Sequence, residues 1–382
     1  NKTTFDQPST IAAISTTSSS DMEILLSGVV AFAICLLVTP FLIKLLMRFK
    51  AIDSGGGRKI HRGSVPTMGG LAIFVSVIAT IAMFSPAILF TRTVPYVIGA
   101  ISLMALLGFA DDALNLRPNR KLFVMIVGAT LVYIAGIRIW SLYGFFGIHE
   151  LPPFVSYLVT VFTIIVIINA YNLIDGIDGL AGGIGATTLF CFALWFMLMG
   201  NMFGLVLCLS FTGALLAFLH YNWAPARVFM GDTGSLMIGM TCAICTLIFI
   251  QENSLMPAND PFCFKGYVAA GVTFVAYPLY DTLRVFIIRI REHRSPFSAD
   301  TQHTHHYLLR LGYSHSKVTT IILIVNFSGM LIFWILSYFI HSYYVVPIIL
   351  LTAFLGAKYL QRVENRNRLV EIEQGNPPKQ AQ

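Results

Sequence analysis

The chain has 382 residues, of which 56% are hydrophobic and 11% charged, with a mean hydropathy of +0.76. Soluble domains are about a quarter charged, and no single soluble core can use so many long apolar runs, so the composition indicates an all-α polytopic membrane protein. The net charge of +7 then belongs to basic loops kept on the cytoplasmic side rather than to a nucleic-acid surface.

In chain order, residues 1–21 are polar and rich in Ser and Thr, and read as a disordered leader before Met22. They are no signal peptide, because the apolar segment follows them and is too long. A bilayer is crossed by roughly 20 apolar residues. Eleven segments qualify: 22–47, 69–90, 94–110, 122–140, 154–170, 180–199, 202–221, 234–250, 264–288, 317–340 and 343–360. Only Gly200 and Asn201 part the sixth from the seventh, and only His341 and Ser342 part the last two, so the expectation is ten to eleven transmembrane helices. They form one domain, residues 22–360, followed by a charged tail at 361–382. Five of the six cysteines lie in apolar runs, and Cys242 and Cys245, although spaced CxxC, read as helix packing.

Basic residues set the orientation. With the N-terminus outside, 21 of the 25 Lys and Arg fall on one side of the membrane, leaving Lys2, Arg92, Arg138 and Lys265 on the other. That places the N-terminus out and the C-terminus in. The polar clusters at 53–67, 111–121, 169–179, 222–235 and 291–315 then all face the cytoplasm.

The first cluster with chemical promise is basic, RKIHRGSVPTMGG at 58–70, suited to lipid headgroups or to an anionic substrate. GFADDALNL, 108–116, places Asp111 and Asp112 at the end of the third span, either as a solvated helix end or as hard ligands for Mg²⁺. NAYNLIDGIDGL, 169–180, sets Asn169, Asn172, Asp175 and Asp178 between two membrane-length runs. Acids there face water, pair, or hold a cation. NWAPARVFMGDTGSL, 222–236, puts Asp232 just before another span, with Thr233 and Ser235 as candidate caps and Phe229 free to stack on a base or anchor at the interface. SPFSADTQHTHHYLLRLG, 295–312, carries His303, His305 and His306, with Arg289, Arg291 and Arg294 upstream. Zinc is one reading, but no cysteine accompanies the histidines, and hydrogen bonds to an anion suit them better. Carboxylates for Mg²⁺, cationic groups for phosphates and a membrane setting are what phosphoryl transfer between a nucleotide and a lipid phosphate requires. No P-loop is present.

The strings ADDALNL, NAYNLIDGIDGLAGG, PARVFMGDTGSL and PFSADTQHTHH, in this order, resemble the signature motifs of the polyprenyl-phosphate N-acetylhexosamine-1-phosphate transferases, the MraY-WecA-TagO superfamily. The likeness covers about residues 22–340, and HTHH with the RKIHRGSVPTMGG loop resembles the WecA/TagO branch. It implies transfer of N-acetylglucosamine-1-phosphate from UDP-GlcNAc to undecaprenyl phosphate, with release of UMP, in the bacterial inner membrane. It also implies a Mg²⁺ cofactor that Mn²⁺ can replace, and a homodimer. By the same resemblance Asp111 and Asp112 are catalytic, beside metal and lipid phosphate, and Asn172 and Asp232 meet the metal. Asp175, Asp178 and Phe229 line the nucleotide pocket, while Arg289, Arg291, His303, His305 and His306 hold pyrophosphate or sugar. DSGGGRK, 53–59, departs from relatives that carry a proline there.

Three alternatives stand beside this reading. The muramoyl-pentapeptide branch arranges its histidines differently. An ion-coupled transporter needs mid-membrane acids or an inverted repeat, and a prenyltransferase needs paired DxxxD motifs. The chain has neither of these last two patterns.

Overall fold

In the computed structural model, residues 20–48, 65–84, 91–293 and 303–373 are described, and among them the regular structure is helical. Thirteen α-helices follow one another: α1 Ser20–Arg48, α2 Gly70–Phe84, α3 Thr93–Leu114, α4 Pro118–Ile134, α5 Pro153–Ile174, α6 Leu180–Met199, α7 Met202–Asn222, α8 Gly231–Leu255, α9 Tyr267–Thr273, α10 Ala276–Arg291, α11 Thr304–Arg310, α12 His315–Phe339 and α13 Ser342–Glu373. Eight are long and apolar enough to cross a bilayer, nine if the bent pair α9–α10 is one span. Each of the eleven expected segments falls on a helix or on that pair. The two outside the nine are α2, at 15 residues, and α4, at 17. Residues 85–90, which the second expected segment includes, lie outside the described residues, as do 1–19, 49–64, 294–302 and 374–382.

The bundle is organised around α8. Its whole 18-residue apolar window is buried, and it packs against α2, α3, α5, α6 and α9. Small residues let the neighbours come close at its start, as helix interfaces in lipid require. A methyl group on Gly108 of α3 would overlap the backbone of Asp232, and one on Gly70 of α2 would overlap Gly234. Backbone pairing completes this corner. Phe229 N–H donates to Pro66 O at 2.9 Å, and Gly69 N–H donates to Phe229 O at 2.9 Å.

The expected single span at 264–288 is broken, with its halves bent by 79°. In a continuous helix the carbonyl of Phe274 would accept from the N–H of residue 278. That residue is Pro278, which has none. The freed carbonyl instead accepts from Thr188 Oγ1 of α6 at 2.9 Å, so the break is held by a neighbouring helix.

Candidate active site

Asp111 and Asp112 lie on the last turn of α3, which Asn115 ends in the left-handed region at φ 48°. Neighbours on one turn diverge in direction, and the two carboxylates have different surroundings. Asp111 Oδ1 accepts the N–H of Leu116 at 2.8 Å, while Oδ2 pairs with the Lys121 ammonium. Lys121, on the first turn of α4, also meets Asp232 Oδ2 at 3.0 Å. One cation therefore bridges two aspartates from helices far apart in sequence.

Asp112 turns to the start of α8. Its Oδ1 accepts the N–H of Asp232 at 2.8 Å, and its Oδ2 accepts the N–H and hydroxyl of Thr233 at 3.0 and 2.6 Å. Gly231, at φ +72°, allows the approach; a Cβ there would stand 2.6 Å from Asp112 Oδ2. The sequence suggested a local cap from Thr233 or Ser235, but the cap comes from another helix. Ser235 instead accepts from Asn172 Nδ2 at 3.0 Å, and the same amide donates to Asp232 Oδ1 at 2.8 Å. Asn169 points away from this cluster, bonding Ile165 O at 2.8 Å.

The DGIDG turn joins α5 to α6 beside the cluster. Asp175 is half-buried and its carboxylate takes no hydrogen bond among the described residues. Burial, and then the charges of Asp232, Asp112 and Asp178, push its pKa up to about 8. Asp178 ties two loops together: its Oδ2 accepts the N–H of Ala226 at 3.1 Å, and its carbonyl accepts Thr319 Oγ1 at 2.8 Å. The N–H of Gly179 is closed by Asn222 Oδ1 of α7 at 3.0 Å. Phe229 is half-buried on the neighbouring loop.

The three acidic segments thus converge, and the histidine segment joins them at Gly176. A Cβ on that glycine would lie 2.6 Å from His305 Nε2. His305 is 1% exposed, and neither of its ring nitrogens has a partner among the described residues. Burial, then the neighbouring His306, push its pKa down to about 3, so it stays neutral. His303 stacks on it with ring centroids 5.6 Å apart, and His306 lies 4.3 Å from it. Arg289 is buried on α10, whereas Arg291, one turn-end later, is exposed. Arg294 and residues 295–302 lie outside the described residues.

Two residues escaped the sequence reading. Lys121 was visible only as a topology marker within RPNRK. Asp281, a lone acid inside an apolar span, deserved suspicion on that ground alone, yet it was hidden in a run read as one helix. It is fully buried and bonds His303 Nδ1 at 2.7 Å.

The donor set fits a hard divalent cation. Asp111 and Asp232 already share one positive charge, and Asn172 is anchored to Asp232. No trio of His, Cys, Asp or Glu among the described residues forms a metal-binding group. Mg²⁺ rarely has one, since it keeps waters and uses one or two carboxylates plus substrate phosphates.

Residues 94–250 match the model of glycosyl transferase family 4. The chain is 31% identical over 312 residues, 80% of its length and 83% of the relative's, to a probable undecaprenyl-phosphate N-acetylglucosaminyl 1-phosphate transferase of Bacillus subtilis (strain 168). A decaprenyl-phosphate N-acetylglucosaminephosphotransferase of Mycolicibacterium smegmatis is 30% identical over 321 residues, 78% of this chain and 79% of the relative. An undecaprenyl-phosphate alpha-N-acetylglucosaminyl 1-phosphate transferase of Yersinia pestis is 27% identical over 286 residues, 73% and 75% of the two chains. Motif order, helical architecture and relatives agree, and the chain belongs to glycosyl transferase family 4, among its polyprenyl-phosphate N-acetylhexosamine-1-phosphate transferases.

Proposed function

We propose that the chain transfers N-acetylglucosamine-1-phosphate from UDP-GlcNAc to undecaprenyl phosphate and releases UMP, starting a cell-envelope polysaccharide on its lipid carrier. The observation that carries this reading is the meeting of Asp111, Asp232, Lys121 and Asn172 at one point beside the DGIDG turn. The relatives' names favour N-acetylglucosamine over the pentapeptide-bearing donor.

Asp232, Asn172 and Asp111 are the residues proposed to hold Mg²⁺, or Mn²⁺ in its place. When bound, the ion neutralises charge on the donor's pyrophosphate. The chain's own groups do the rest. Lys121 and the histidine segment hold phosphate oxygens, Asp175, Asp178 and Phe229 hold the nucleotide, and Arg289 and Arg291 flank the sugar phosphate. An oxygen of the lipid phosphate attacks the β-phosphorus. The new P–O bond forms as the bond from that phosphorus to the oxygen bridging to UMP breaks, and UMP leaves with the electron pair. A phosphate monoester is largely dianionic at neutral pH, its second pKa being about 6, so the attack needs no strong base. Asp112 is committed to the start of α8 and Asp111 to Leu116 and Lys121, and of the two it is Asp111 that shares a cation with the proposed metal ligand Asp232.

We further propose that α2 and α4 complete the crossings to ten or eleven, and that the site opens to the cytoplasmic side of the bacterial inner membrane. The basic residues support this orientation: Lys121 and Arg117 share an end with the acidic cluster. A homodimer remains the family expectation.

Purified protein with undecaprenyl phosphate and Mg²⁺ is expected to release UMP from UDP-GlcNAc and to stop in EDTA. Release only from UDP-MurNAc-pentapeptide would move the chain to the other branch. No release from UDP-GlcNAc, UDP-GalNAc or the pentapeptide donor by folded protein would overturn the transferase reading.

A further inference from the structure

Asp281 lies on α10 and is 0% exposed, inside a segment that sequence treats as membrane. A carboxylate so placed is costly unless every lone pair in use has a donor. Here the donors all come from the start of the histidine segment, some 22 residues on. Oδ1 accepts the N–H of Thr304 at 2.8 Å and its hydroxyl at 2.5 Å, and Oδ2 faces His303 Nδ1 at 2.7 Å. His303 is the N-cap residue of α11, yet its side chain makes no cap hydrogen bond. Asp281 therefore supplies the cap that His303 does not, and takes the His303 ring as a second load.

A carboxylate with three donors around it is an acceptor only. The ring proton of neutral His303 then sits on Nδ1, which leaves Nε2 with its lone pair, or with a second proton when the ring is charged. A simple helix cap would need only the N–H of Thr304. The additional grip on the imidazole fixes which ring nitrogen is free, and stacking on His305 fixes the ring plane.

We propose that Asp281 is the positioning residue of the histidine segment, holding His303 in the Nδ1–H form and setting the start of α11 so that Nε2 is the atom offered to substrate. The activity part of the test rests on the transferase reading above; the tautomer part does not. In Asp281→Asn, an amide that keeps its oxygen on Thr304 turns its NH₂ toward His303. That arrangement drives the ring proton to Nε2.

The experiment labels the nine histidines with ¹⁵N and assigns the His303 signals by their loss in His303→Asn, with UMP release measured in parallel. Expected are an Nδ1–H signal for wild-type His303, its replacement by Nε2–H in Asp281→Asn, and a fall in kcat/KM of roughly 10- to 100-fold, taking as a guide the loss seen when a partner that orients a metal-bound histidine is removed. The Asp281→Asn/His303→Asn double variant should be no slower than His303→Asn alone, because Asp281 acts through that ring. Thr304→Val, which keeps the carboxylate on the imidazole, should keep the tautomer. An Nε2–H signal in the wild type, an unchanged tautomer in Asp281→Asn, or losses that multiply in the double variant would each overturn the proposal. If wild-type protein releases no UMP, the transferase reading fails while the tautomer result still decides the role of Asp281.

Discussion

Lys121 holds together two carboxylates that would otherwise repel each other, and that pairing decides what its removal does. In the proposed site the ammonium and a divalent cation would compete for the same oxygens of Asp111 and Asp232. Lys121→Met is therefore expected to bind Mn²⁺ more tightly, by about tenfold for about 1.4 kcal/mol of lost competition, while UMP release falls. Electron paramagnetic resonance titration checks the first and the release assay the second; weaker Mn²⁺ binding would show that the lysine helps to build the metal site instead of competing for it. Asp175 gives a pH dependence. Its folded pKa of about 8 stands above the ordinary 3.8, so the folded state holds the proton more strongly than the unfolded one. The associated stability is complete below pH 3.8 and is lost as pH rises toward 8. Metal-free protein should lose thermal stability across that window, and Asp175→Asn should flatten the decline in a melting series from pH 4 to 8. His305 has the opposite bias. Neutral down to about pH 3, it brings no positive charge to a phosphate, so the charge read into the histidine segment from sequence must come from its neighbours.

At the scale of helices, the crossing of α3 over α8 is where sequence and structure meet most tightly. Gly108→Ala would press a methyl group into the backbone of Asp232. Overpacking of this kind costs typically 1–3 kcal/mol, and here it would also shift a proposed metal ligand. The variant should melt lower and lose most of its activity; wild-type activity at wild-type melting temperature would mean that the crossing has room for a methyl group at Gly108. Much of this was legible in the chain. The ADDALNL, NLIDGIDG and GDTGS strings announced both the acids and their place at helix ends, because membrane-length apolar runs frame them so sharply. What escaped depends on partners distant in sequence. Thr233 and Ser235 looked like caps for their own helix, yet Asp112 caps it from 120 positions away. The segment at 264–288 read as one span because hydropathy is blind to direction, although Pro278 was there to signal the break.

For the molecule as a whole, the sequence indicated a many-helix membrane protein and located its polar end. The number of crossings was harder, since α2 and α4 are short and mark no boundary by composition. Three helix starts around the site are closed by side chains borrowed from elsewhere: α6 by Asn222 of α7, α8 by Asp112 of α3, and α11 by Asp281 of α10. A chain threaded into the membrane from its N-terminus makes these loans in order. Asp112 arrives long before the amides it will accept, Gly179 waits for α7, and the histidines receive their support only after most of the bundle is in place. The acids, Lys121 and Asn172 can meet once α8 has begun. A growing chain that has not reached α11 still lacks the histidines and their support from Asp281, so a ribosome that stalls before that point leaves the centre incomplete.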